Sequence, residues 1–150
     1  ETVLVPVSSG GMAAGVATAV KLSKPDVKVI GVQPEKANAA YVSMQQGEAT
    51  AIDYWDSMAD GLSARRPGEY PFSHLQEYMD EIVLISEQDI ADAFRTILYR
   101  GKLMGEPAGV TAPAAFLGGK VDTSRKTVAA LTGGNVTEAI VDKMLAMSAD

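Results

Sequence analysis

At 150 residues, 47% hydrophobic and 21% charged, the chain has the composition of one globular domain with a sizeable core. The absence of cysteine from the sequence excludes disulfides, thiolate-ligated zinc and thiol catalysis. A net charge of −6 and a pI near 4.7 argue against a nucleic-acid partner, because phosphate backbones attract basic surfaces. Arg65-Arg66 and Arg125-Lys126 are too short to reverse that balance and read as solvated loop charge. No apolar run approaches the roughly 20 residues that cross a bilayer. No leader pattern opens the chain either, so no membrane partner is expected and the cytoplasm is the expected location.

Residues 2–7 form a short β-rich run, the pattern of a strand covered on both faces. Glu1 is not an initiator Met, and a buried strand this early suggests a chain cut from something longer. Ser8-Ser9-Gly10-Gly11 is a turn of small residues, and residues 12–22, rich in Ala and Val, predict a helix. After a turn at Pro25-Asp26, residues 27–32 predict a second strand. Strand, helix and strand within about thirty residues make a βαβ unit, hence parallel strands with a right-handed crossover.

Residues 37–46 predict a helix that ends at Gly47, and residues 48–70 are irregular. A short helix over 72–79 precedes a strand over 81–85. Ser86 with Asp89 three places on is an approximate capping box. Ile90, Ala93, Phe94, Ile97 and Leu98 then share one helical face, read as core. Pro107 is placed to start a helix that runs to about Leu117. Residues 127–131 predict a strand, 132–135 a tight turn and 136–147 a final helix. The alternation points to an α/β fold with an open, twisted, mainly parallel sheet flanked by helices, in a single segment over 1–150.

Ligands in such sheets bind beyond the carboxyl ends of the strands. Ser8-Ser9-Gly10-Gly11 sits at such an end and opens a helix, where free N–H groups and about half a positive charge await an anion. A tight turn in which Gly merely permits positive φ accounts for the same residues equally well. The glycine spacing Gly10, Gly11, Gly15 and a second strand ending in Gln33 depart from the dinucleotide fingerprint. The Gly-Lys-Ser/Thr ending of a Walker loop is also missing. Thr132-Gly133-Gly134-Asn135 repeats the small-residue turn after the last strand and adds a hydroxyl. Glu106, just before Pro107, is either a helix N-cap or a carboxylate facing the site, and His74 reads as a surface residue.

Five stretches in order carry a resemblance: Val5-Pro-Val-Ser-Ser-Gly-Gly-Met-Ala-Ala-Gly15, Val29-Ile-Gly-Val-Gln-Pro-Glu35, Ala59-Asp-Gly-Leu62, Glu106-Pro-Ala-Gly109 and Leu131-Thr-Gly-Gly-Asn135. Together they resemble the second half of the serine/threonine dehydratase and serine racemase family, pyridoxal-phosphate enzymes of the tryptophan-synthase-β fold type. The resemblance implies pyridoxal 5'-phosphate as cofactor and an amino-acid substrate. It implies that Ser8, Ser9, Gly10, Gly11 and Met12 form the loop that grips the cofactor phosphate. It also places Thr132 beside the pyridine nitrogen and Gly61 and Glu106 beside the ring. A hydroxyl partner leaves the ring a weaker electron sink than a carboxylate would, which suits β-elimination from serine or threonine.

Ser8 and Ser9 stand where the family usually has glycine, so the grip survives only if their backbone conformation does not demand it. Gln33 and Ala39 match positions that are acidic in the family's cation site, so no metal is expected there. The family's Ser-x-Lys nucleophile and Ser-x-Gly-Asn-His substrate loop have no counterpart, and no catalytic residue is assigned. The resemblance therefore implies a cofactor-binding half of a threonine/serine ammonia-lyase, inactive alone, whose partner is the missing N-terminal half and whose intact form is a homodimer. The alternatives are a serine racemase of the same family, or a cofactor- or anion-binding module without catalysis.

Overall fold

The computed structural model describes residues 1–147. Its centre is a four-stranded parallel sheet of β1 (Thr2–Pro6), β2 (Lys28–Pro34), β3 (Glu81–Ile85) and β4 (Thr127–Ala129), in the order β3-β2-β1-β4. The register sets Val3 against Val29 on one side and against Val128 on the other. Along β1 the pleat sends alternate side chains into two cores. Leu4 joins Ile30, Val32, Ile85 and Phe94 on one face, while Val5 joins Val29, Ala13, Ala17 and Leu75 on the other.

The second face is covered by α1 (Gly11–Ser23) and α3 (Glu69–Tyr78). Ala13, Ala14 and Ala17 of α1 are buried, and side chains this small let the helix lie close to the sheet. Asp80 ties that layer to β2: its carboxylate accepts the Val29 N–H at 2.7 Å and pairs with Lys21 of α1 at 2.7 Å. The first face is covered by α4 (Glu87–Thr96), α5 (Thr111–Leu117) and α6 (Glu138–Ala146), with Ile90, Ala93, Phe94 and Met144 fully buried. The capping box predicted for α4 is present in full. Ser86 Oγ accepts the Asp89 N–H at 3.1 Å, and Asp89 accepts the Ser86 N–H at 2.8 Å. Ile97 and Leu98 fall in a π-helical turn, Ile97–Gly101, that continues α4 and ends at Lys102 in the left-handed region.

Several boundaries shift for identifiable reasons. The helix expected over 37–46 is a 3-10 turn, Glu35–Ala37, followed by α2 (Ala39–Gln46), broken at Asn38. The helix expected from Pro107 starts at Thr111, because residues 107–110 are spent on a turn. Within that turn the Val110 N–H reaches the Glu106 carbonyl, and Thr111 Oγ1 donates to the Pro107 carbonyl at 3.0 Å. The last helix begins at Glu138, behind Thr137, whose side chain accepts the Ile140 N–H. The strand expected over 127–131 ends at Ala129. His74 is half-buried in the seam between α1 and α3, with Nδ1 3.2 Å from Thr18 Oγ1 and its ring between Tyr70 and Tyr78.

Candidate cofactor site

The carboxyl end of β1 runs through Val7 into Ser8-Ser9-Gly10, and α1 starts at Gly11. Gly10 is the N-cap, at φ 104° in the left-handed region. A Cβ there would stand 3.1 Å from both Leu75 Cδ1 and Pro71 Cβ, so conformation and packing against α3 both require glycine. Ser8 and Ser9 are not among the positive-φ residues, so the loop does not demand glycine at either. The Ser9 carbonyl is held by the Gly68 N–H at 3.0 Å. Gly11, Met12 and Ala13 follow, with first-turn N–H groups that no helical carbonyl satisfies.

Three more segments close around this loop. The 3-10 turn Asp60–Leu62 presents Gly61, and its approach is anchored by Glu87, which accepts Ser57 Oγ at 2.6 Å and the Met58 N–H at 2.8 Å. A Cβ on Gly61 would meet Ala108 Cβ at 3.1 Å and Glu106 Oε1 at 3.7 Å, so the two segments are in near contact. Glu106 Oε2 accepts the Asn135 N–H at 2.9 Å. Gly133, at φ 63°, lies so close to the carboxylate that a Cβ would stand 2.3 Å from Glu106 Cδ. Gly109 makes a backbone crossing with the same loop: its carbonyl accepts the Thr132 N–H at 3.3 Å, and a Cβ on it would lie 1.5 Å from the Thr132 carbonyl oxygen.

The result is a cavity of about 320 Å³, within the range of small-molecule sites. All eight residues singled out in the sequence line it: Ser8, Ser9, Gly10, Gly11, Met12, Gly61, Glu106 and Thr132. Glu106 is thus a carboxylate at the cavity wall that braces the loop after β4, and the N-cap alternative is excluded, since α5 is preceded by Val110. Leu62 and Ala108 also line the cavity, and Gly109, Gly133 and Asn135 hold its wall. Sequence reasoning gave these no role, although Gly109 and the Gly133-Gly134 pair stood in the motifs. Among the described residues, Glu106 is the one charged residue that lines the cavity, and no lysine lines it. Lys21 is paired with Asp80 and Lys28 with Glu81.

Gln33 lies elsewhere, fully buried, with Oε1 accepting the Tyr41 N–H at 3.0 Å and Nε2 without a partner. Ala39 opens α2 nearby in sequence and is also buried.

A family model described as pyridoxal-phosphate dependent enzyme matches residues 1–133. The chain belongs to that family. This pyridoxal-phosphate-family chain is 38% identical over 146 residues to the L-threonine ammonia-lyase of Thermotoga maritima, covering 97% of itself and 36% of that relative. The threonine deaminase of T.th. superposes with a TM-score of 0.87 at 36% identity, over 91% of this chain and 50% of that one. Maize serine racemase superposes with a TM-score of 0.87 at 26% identity, over 95% of this chain and 45% of that one. The chain therefore spans between about a third and a half of the length of these relatives, and the tryptophan-synthase-β-like architecture expected from the sequence is the one observed. The residues present fit the family's cofactor. A strand-to-helix turn with unsatisfied N–H groups faces a cavity whose glycines leave its walls open, and a hydroxyl residue stands on the wall that Gly109 fixes.

Proposed function

We propose that this chain is the cofactor-gripping portion of a pyridoxal-phosphate-dependent threonine/serine ammonia-lyase. The observation that carries the reading is the convergence of Ser8–Met12, Gly61, Glu106 and Thr132 on one cavity at the carboxyl end of the sheet. Backbone N–H groups from Ser8 to Met12 bind the cofactor phosphate, aided by the α1 dipole. The hydroxyl of Thr132 binds at the pyridine nitrogen, held in place by the Gly109 crossing. Glu106 fixes the loop that bears Thr132 through Asn135. Gly61 leaves room for the flat face of the ring. When bound, the cofactor supplies the electron sink that lets a hydroxyamino acid lose its α-proton and then its β-hydroxyl.

The nucleophilic lysine and the residues that hold the amino-acid carboxylate come from a further portion of polypeptide, the N-terminal half in the family, and the intact enzyme is a homodimer. The chain alone binds the cofactor noncovalently and does not turn over. Titration of pyridoxal phosphate followed by the 31P resonance of its phosphate tests the grip. A shifted, saturable resonance that borohydride does not render covalent supports the reading, and an unshifted one refutes it. Ammonia release from threonine by the isolated chain at an enzymic rate would refute the inactivity.

The superposition on maize serine racemase keeps one alternative in view. Loss of optical activity from L-serine without ammonia, in the enzyme completed with its lysine, would assign the racemase. A chain that grips the phosphate but cannot be completed at all would be a binding module.

A further inference from the structure

Gln33 stands near the end of β2, at the corner that leads through the 3-10 turn Glu35–Ala37 into α2. Its side chain is fully buried, and a buried amide calls for partners at both of its ends. Only one end has a partner: Oε1 accepts the Tyr41 N–H at 3.0 Å, while Nε2 has none. An N–H can meet only an acceptor, so this bond also fixes which end of the amide is oxygen. Tyr41 is the third residue of α2, whose N-cap residue Asn38 makes no side-chain cap bond. Gln33 therefore caps α2 from eight positions back.

Gln33 and Ala39 stand where the family's cation site is acidic, and the residues at this corner do not fit a cation. A hard divalent ion takes about six oxygen ligands or more, carboxylates among them. Here Ala37, Ala39 and Ala40, all fully buried, bring only methyl groups. The unpaired end of Gln33 is a donor, and its partial positive charge repels a cation. A carboxylate at position 33 would keep the bond to Tyr41 but bury an uncompensated charge. An aliphatic side chain would avoid the charge but leave the Tyr41 N–H without its acceptor. The amide avoids both faults and leaves one donor idle.

We propose that the Gln33 amide takes the place of the cation, tying the end of β2 to the first turn of α2 without an ion. The corner is then indifferent to divalent cations. It is joined to the cavity along the chain. The Lys36 carbonyl accepts the Asp56 N–H at 2.9 Å, and the segment runs on through Ser57 and Met58 to Gly61 on the cavity wall. Gln33 is a positioning residue, acting through this segment and touching no ligand.

The test uses the full chain without cofactor, so its failure leaves the cofactor reading standing. Mn2+ is the probe, because its unpaired electrons broaden the amide resonances around any site that binds it. In the wild type the amides of residues 37–41 should stay sharp, and selective broadening there overturns the proposal. Gln33→Met, similar in shape but without the acceptor, should speed Tyr41 amide exchange by about tenfold, the loss of one hydrogen bond. Exchange as slow as in the wild type would mean that Gln33 ties nothing. Gln33→Glu should melt below the wild type in EDTA, and equal melting would show that a neutral amide is not needed. Adding Ala39→Asp to Gln33→Glu should bring back the lost melting temperature when Mn2+ or Mg2+ is present, with broadening at residues 37–41. A folded double variant that ignores both ions refutes the exchange of amide for cation. If the glutamate variants do not fold, the wild-type broadening and the Gln33→Met exchange rate decide the matter by themselves.

Discussion

The two walls of the cavity are built in opposite ways. The Ser8–Met12 wall is local: one strand ends, one left-handed glycine turns the chain, and one helix begins, all within a dozen residues. The Glu106–Thr132 wall is assembled from segments 23 to 29 positions apart, locked by a backbone crossing at Gly109 and a carboxylate on Asn135. The first wall depends on a conformation, the second on a contact. A substitution that respects φ can therefore be harmless in the first and ruinous in the second.

The largest effect should come from Gly109→Ala. With backbone 1.5 Å from the new methyl, nothing flexible can yield, and the two loops must part. The expected cost is about 3 kcal/mol of unfolding free energy, together with loss of cofactor binding, read by thermal unfolding and the 31P titration. Gly10→Ala should come next, at about 1–3 kcal/mol, since φ 104° is strained for any L side chain and Leu75 and Pro71 crowd the methyl. If this variant keeps wild-type affinity, the local wall is not the phosphate grip. Glu106→Ala should cost up to about 1 kcal/mol through loss of the solvent-exposed bond from the Asn135 N–H, while Glu106→Gln, which keeps an acceptor, should recover most of it. Denaturant titration of the pair separates bracing from mere charge. Ser9→Gly should be the mildest, with cofactor affinity within about threefold of wild type, a difference of under about 0.7 kcal/mol.

The same contrast explains what could be read from the sequence. The β1-loop-α1 unit was legible because β-branched residues, small turn residues and an Ala-rich run each point to their own local geometry. The α4 cap was legible for the same reason, Ser86 and Asp89 being three residues apart. The resemblance supplied the gathering of Gly61, Glu106 and Thr132, which no local signal contains. Glu106 stayed ambiguous because its partner, Asn135, lies 29 residues away. Pro107 misled because proline suits both the first turn of a helix and an ordinary turn, and only the bond from Val110 to Glu106 decides between them.

The two serines of the Ser8–Met12 loop have a consequence of their own. Their φ angles leave glycine unnecessary, and a side chain there removes conformations that glycine would otherwise visit before the ligand arrives. Each such restriction favours the folded loop by on the order of 0.4–1 kcal/mol, chiefly by removing conformations from the unfolded chain. The loop is thus partly ordered in advance, and a ligand bound there, as proposed above, would meet a receptor with less freedom left to lose.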